Sequence, residues 1–206
     1  SCPLKQGVQN FDIPFFDGLP GVFHDSLPDG WGRLILDRTL RSKNITPENL
    51  TSLDRLAHVG QFGMGALTYE PDYKSKPDLT SLPHLDELAT QARQILEGET
   101  GHILEELVSL NGSSAGARPK ALIGVSHDKS HIIHGVYDLT EDYEHWIIKF
   151  PNTTDGIDSG AVEYVYAQMA KEAGIEMEET HLFPSTKTPG FFGTKRFDRK
   201  RNKRLH

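Results

Sequence analysis

The chain has 206 residues, 36% hydrophobic and 25% charged, enough for one large globular domain or two small ones. The net charge of −7 is uneven, because residues 195–204 carry seven Lys or Arg against one Asp and leave an acidic body behind, which argues against broad direct contact with nucleic acid. Cys2 is the only cysteine, which excludes an internal disulfide and a multi-cysteine zinc site; with no apolar leader and no run of about 18 apolar residues, the expectation is a cytoplasmic chain without a membrane span.

Residues 8–23 alternate apolar positions with Pro14, Gly18, Pro20 and Gly21, which predicts one short strand and then turns. Asp25 to Gly32 is turn-rich and leads into a helix through about Ser42, with Leu34, Ile35, Leu36 and Leu40 as its apolar face. Thr46-Pro47-Glu48 combines a capping hydroxyl, a proline at the first helical position and an acid near the positive end of the dipole, so a second helix is expected from there to Gly60. Phe62 to Tyr69 reads as a strand weakened by two glycines, and residues 70–84, with three prolines, as a linker. An amphipathic helix over Leu85 to Leu96 and further helical spacing through Leu110 precede a glycine-rich loop at 112–117. Strands follow near 120–125, 131–137 and 145–150, then a helix from about Ala161 to Ala173, then strands near 180–183 and 190–197.

Three features carry chemistry. Asn111 to Lys120 (NGSSAGARPK) is built of small residues whose N–H groups can cradle an anion, with Arg118 and Lys120 adding charge. It is not a Walker loop, since the order of residues differs and it leads into a strand rather than a helix. Lys149 sits in the apolar strand Trp146-Ile147-Ile148-Lys149-Phe150, where a charge is costly unless paired or at an edge. Glu163 lies early in the next helix. Glycine loop, strand lysine and helix glutamate follow one another in the order of a kinase N-lobe, where the lysine holds ATP phosphates and the glutamate orients it. Taken singly, the loop reads as a turn, Lys149 as an edge charge and Glu163 as a dipole partner. His131 and His134 fall on opposite faces of a strand, so a metal site is not expected there. Trp31 and Tyr164 read as packing anchors.

Four stretches make the pattern specific: FHDSLPDGWGRLILDR (23–38), SSAGARPKALIGV (113–125), WIIKFP (146–151) with VEYVYAQMAKEAGI (162–175), and FFGTKRFDR (191–199). Together they resemble the HipA-like serine/threonine kinases, the toxins of a type II toxin–antitoxin system. The resemblance implies an α+β fold in two parts: a small N-terminal subdomain at about 1–75, and a kinase-like ATP-binding lobe at about 76–206 with a mixed, mostly antiparallel sheet. It implies that Ala115, Gly116, Ala117, Arg118, Pro119 and Lys120 cover ATP, that Lys149 contacts its phosphates with Glu163 orienting it, and that Lys195, Arg196 and Phe197 form a hinge meeting adenine through the backbone. Ser113, with Ser114 as the alternative, matches the loop serine whose self-phosphorylation silences such kinases.

No H-R-D-x-x-x-x-N or D-F-G run occurs, and the resemblance puts the catalytic aspartate well beyond Phe197. The expectation is therefore a lobe lacking its catalytic partner, inactive alone, with the ligands of Mg2+ in the missing lobe. A sheet cut there should also leave Phe191 and Phe192 exposed. Expected from the resemblance are a DNA-binding antitoxin of the HipB type as partner and an aminoacyl-tRNA synthetase as the substrate class, with no direct DNA contact and no membrane contact. The rival readings are a non-catalytic module that binds a partner protein or nucleotide, and a nucleic-acid adaptor using residues 195–204, whose other reading is a solvated hairpin or a strand facing an acidic lobe.

Overall fold

The computed structural model describes residues 7, 8, 10, 16–73, 82, 84–98, 107, 110 and 116–205. After a 3-10 turn (Phe16–Gly18) and a single turn of helix, α1 (Gly21–His24), the chain enters α2 (Gly30–Ser42). α2 buries Trp31 and Ile35 one helical turn apart, buries Leu40 near its end, and turns Arg33 to solvent. The helix expected from Thr46 starts later: Pro47–Asn49 forms a 3-10 turn, Leu50 is extended, and α3 (Ser52–Val59) begins at Thr51. There the Thr51 hydroxyl accepts the Asp54 N–H while the Asp54 carboxylate accepts from the Thr51 N–H, and this reciprocal cap wins over the isolated Thr46 hydroxyl. α4 (Leu85–Leu96) follows its predicted bounds.

The sheet comprises β1 (Lys120–Ser126), β2 (Ile132–His134), β3 (Tyr143–Lys149), β4 (Thr180–Phe183) and β5 (Phe191–Lys195), with α5 (Ser159–Glu172) between β3 and β4. The strand order is β2-β1-β3-β5-β4, and all four pairings are antiparallel. The molecule is thus α+β with an antiparallel sheet. A small hairpin, β6 (Arg199–Lys200) and β7 (Lys203–Arg204), follows.

Alternation decides which face is core. Ala121, Ile123, Val125, Trp146, Ile148, Phe183 and Phe191 point to one side, where they meet Trp31 and Ile35 of α2, Leu88, Ala92 and Ile95 of α4, and Leu107 and Leu110. Each Val, Leu, Ile or Phe side chain among them contributes about 1.5–3 kcal/mol by leaving water. The opposite face carries Lys120 and Lys149, and α5 packs on its β4–β5 end, with Gln168 and Lys171 donating to the Thr180 hydroxyl. α5 turns Val162, Val165, Tyr166 and Met169 outward.

Three expectations are corrected. Phe191 and Phe192 are buried, because β5 lies between β3 and β4 and is paired on both sides. Phe62 to Tyr69 is not a strand; it follows a 3-10 turn (Gly60–Phe62) as bends, its backbone served by side chains. The basic stretch at 195–204 forms the expected hairpin with Lys200 to Lys203 exposed, but its base is an ion network rather than a solvated run. Asp198 accepts from Arg196 Nε at 2.8 Å, Arg196 Nη2 at 2.7 Å, Arg199 Nη1 at 2.8 Å and the Gly65 N–H at 2.8 Å, and both Arg196 and Asp198 are buried. Arg199 and Arg204 donate onward to the carbonyl of Gly63, and Arg204 also to that of Gln61. Of the strand expected within 8–23, most lies outside the described residues. Among the described residues no helix is long and apolar enough to cross a membrane, and no group of three or more His, Cys, Asp or Glu gathers as metal ligands do.

Candidate functional site

Antiparallel register sets Lys120 of β1 directly opposite Lys149 of β3, so both lysines occupy the non-core face at one end of the sheet. Two apolar strands hold them there: each neighbour in sequence (Ala121, Ile148, Phe150) is locked in the core, which leaves the lysines no alternative face. Glu163, in the second turn of α5, ion-pairs with the Lys149 ammonium, which also lies 5.2 Å from the centre of the Phe192 ring.

Arg118 closes the group from the loop side. Its Nη2 reaches Asp155 at 3.0 Å and its Nη1 reaches Glu163 at 3.8 Å. Asp155 is itself fixed, since its other oxygen accepts the Asn152 N–H at 2.8 Å. A small cleft opens among Arg118, Lys149, Asp155, Gly160, Glu163 and Phe192. Burial, and after it the charge of Lys149, hold the Lys120 ammonium below the usual lysine range, with Asp29 and Glu163 pulling the other way. Three cations and three carboxylates therefore share one sheet end. An anionic ligand entering beside Lys120 and Lys149 would relieve their mutual repulsion, which is the chemistry of a phosphate site.

The glycine-rich loop is met at its last residues. Ser113, Ser114 and Ala115 lie outside the described residues. The Gly116 N–H, one of the amides expected to face an anion, donates to Asp29 Oδ1 at 2.9 Å, and the Gly116 carbonyl accepts the Trp31 N–H at 3.1 Å. Ala117 is exposed, and Pro119 is buried with its carbonyl accepting the Phe150 N–H at 2.9 Å.

The residues expected as a hinge stand at the other end of β5. The Lys195 N–H bonds the Glu179 carbonyl and the Arg196 N–H the His145 carbonyl, both at 2.9 Å, so these two donors are engaged within the fold. The Lys195 ammonium pairs with Glu144 at 2.5 Å, the Arg196 guanidinium is buried against Asp198, and Phe197 is 73% exposed. His131 is exposed and bonded to Ser130, while His134 is half-buried beside Tyr137.

Sequence reasoning passed over Asp29, Asp155 and Asp198. The signal for Asp29 was present as a glycine wedged between an acid and a tryptophan in Asp29-Gly30-Trp31. Asp155 and Asp198 meet partners 37 and 133 residues away in Arg118 and Gly65, beyond the reach of local pattern.

Comparison with known families matches residues 1–70 to the HipA N-terminal domain and residues 112–206 to the HipA-like C-terminal domain. Comparison with the curated proteins and with the solved structures gives no match.

Proposed function

Because the chain belongs to the HipA-like family, whose members are kinase-like toxins, we propose that it is the nucleotide-binding portion of a serine/threonine protein kinase that passes the γ-phosphate of ATP to a protein hydroxyl. The observation that carries this reading is the ion pair of Lys149 with Glu163 on the non-core face, with Lys120 directly opposite in register. Lys149 and Lys120 bind phosphate oxygens, and Glu163 keeps the Lys149 ammonium aimed at them at no cost in ordering when nucleotide arrives. Arg118, already shared between Asp155 and Glu163, is within reach to move onto a phosphate oxygen as charge enters the cleft. Bound Mg2+ supplies neutralisation of charge between the phosphates; its protein ligands belong to the segment that the resemblance places after Phe197, as does the aspartate that accepts the substrate proton. Adenine meets the Lys195–Phe197 segment through groups other than the engaged amides of Lys195 and Arg196. The same reading carries Ser113, or Ser114, as a self-phosphorylation site, an antitoxin of the HipB type as partner, and an aminoacyl-tRNA synthetase as the substrate class.

Calorimetric titration of the chain with Mg-ATP tests the reading. Wild type binds, Lys149→Met weakens binding at least about tenfold, equivalent to about 1.4 kcal/mol for one charge-assisted contact, and Glu163→Gln weakens it a few-fold. No heat of binding at millimolar Mg-ATP, or a Lys149→Met variant that binds like wild type, refutes it.

A further inference from the structure

α2 begins at Gly30, and Asp29 occupies its N-cap with extended backbone. An aspartate there ordinarily accepts an N–H from the first turn of its own helix. Asp29 makes no such bond, and its Oδ1 takes the Gly116 N–H at 2.9 Å instead. The exchange is mutual. The Gly116 carbonyl accepts the Trp31 N–H at 3.1 Å, one of the donors that a helix start leaves over, so the loop caps the helix while the helix cap holds the loop. A third bond lands four residues further on, where the buried Trp31 indole Nε1 donates to the Lys120 carbonyl at 3.2 Å.

These bonds pin both ends of the segment that carries Arg118 and Lys120. The approach is close enough to require the glycine: a Cβ on Gly30 would lie 2.7 Å from the Gly116 carbonyl oxygen and 2.8 Å from the Ala117 Cα, at a backbone φ of +41° that side chains rarely adopt. Gly116 in turn sits against the charge it governs, since a Cβ there would lie 3.0 Å from the Lys120 ammonium. Lys120 is only 7% exposed and stands opposite a second lysine. A relaxed backbone at this point would let its flexible stem carry the ammonium away to water, which both desolvation and repulsion favour.

We infer that Asp29, Gly30 and Trp31 are positioning residues for the nucleotide site: docked on Gly116 and Lys120, the start of α2 holds the Lys120 ammonium beside Lys149. This rests on the nucleotide-binding reading above, and it makes phosphate affinity depend on the N-terminal unit, which itself touches no phosphate. The loop end is held by the protein's own carboxylate, so the anion is received at this end by the lysine side chains rather than by the Gly116 amide.

The test measures Mg-ATP affinity of the chain by calorimetry, with amide exchange of Trp31 and of residues 116–121 as a second readout. Asp29→Ala and Gly30→Ala raise Kd by about five- to tenfold, roughly the 1–1.4 kcal/mol of one lost bond, and speed exchange at Gly116 and Trp31. Asp29→Asn keeps the accepting oxygen and stays within about threefold of wild type. Trp31→Phe preserves most of the packed ring, removes the indole donor, and serves where Gly30→Ala does not fold. Asp37→Ala breaks the 2.7 Å pair with Arg55 elsewhere on α2; it lowers Tm while leaving Kd unchanged, which separates positioning from mere destabilisation. Wild-type binding with Asp29→Ala and Trp31→Phe both at wild-type Kd overturns the positioning role alone. Absence of wild-type binding overturns the nucleotide reading and this inference with it.

Discussion

Asp198→Ala removes the carboxylate around which Arg196, Arg199 and the Gly65 amide are arranged, and it does so where the Arg196 and Asp198 side chains are 1% and 4% exposed. Two guanidinium groups would then remain in a dry site, facing each other with carbonyls but without that anion. Deleting one member of such a buried pair costs about 3–5 kcal/mol, far more than the net worth of the pair itself, because the surviving charge cannot be rehydrated. For a chain of this size each kcal/mol moves Tm by about 2–4 °C, so a drop of about 6–20 °C is expected. Differential scanning fluorimetry measures it, and limited proteolysis localises it: the segment 60–65, tied to this hairpin through Gly63 and Gly65, should be cut first. A second readout comes from pH. Burial alone raises the Asp198 carboxyl, but the bonds and charges of Arg196 and Arg199 with the Gly65 N–H outweigh it and hold it below the usual range. A depressed carboxyl contributes stability that is present above the unfolded value of 3.8 and is lost as pH falls through the folded one, so wild type weakens below about pH 4 more steeply than Asp198→Ala does. A variant melting within about 2 °C of wild type, with the same acid limb, would show that the hairpin is not anchored by this ion.

His134 makes a different pH prediction. Its Nδ1 accepts the Val136 N–H at 3.3 Å, which requires the neutral ring, and burial holds it at about 4, down from 6.5. The unfolded chain takes up the proton first, so stability falls as pH drops from about 6.5 to about 4 and levels off below; the full shift corresponds to about 3 kcal/mol, and partial exposure of the ring reduces this to about 1–2. The difference in Tm between pH 7 and pH 4.5 should shrink in His134→Gln, and an unchanged difference refutes the assignment. Asp86→Ala leaves the β4–β5 connection without the carboxylate that accepts from the Ser185 hydroxyl at 2.5 Å and from the Thr186 N–H and hydroxyl at 2.9 and 2.5 Å. We expect a loss of about 2–3 kcal/mol with faster amide exchange at Thr186, and slow exchange retained there would count against the cap.

Much of the fold was open to a reading of the chain alone, and the reasons are local. Trp31 and Ile35 in α2, and Leu88, Ala92 and Ile95 in α4, repeat at the helical period, and β1 is an apolar run buried along its length, so pattern and burial coincide. The partnership of Lys149 with Glu163 was readable for a related reason: a lysine in an apolar strand and an acid early in the next helix lie 14 residues apart, with no other element between them. Thr51 against Thr46 shows the limit even of local signals, since both offer a cap and the reciprocal bond with Asp54 decides between them.

The rest was decided by contacts across the chain. Phe62 to Tyr69 reads as a strand, yet the carbonyls of Gly63 and Gly65 are met by Arg199 and Arg204 from the far hairpin, and side-chain donors at that range leave no trace in the local pattern. The same packing fixed the base of the basic hairpin in an ion network of Arg196, Asp198 and Arg199 while its turn stays exposed, and set β5 between two strands so that Phe191 and Phe192 went inside. Sequence by itself determined most of the helices and the strands from Lys120 onward, and the Lys149–Glu163 pair, because each depends on the backbone period and on near neighbours. Only the tertiary structure decided that Asp29 and Trp31 grip Gly116 and Lys120, because a hydrogen bond spanning 87 or 89 residues is specified by where two surfaces meet and not by any spacing along the chain.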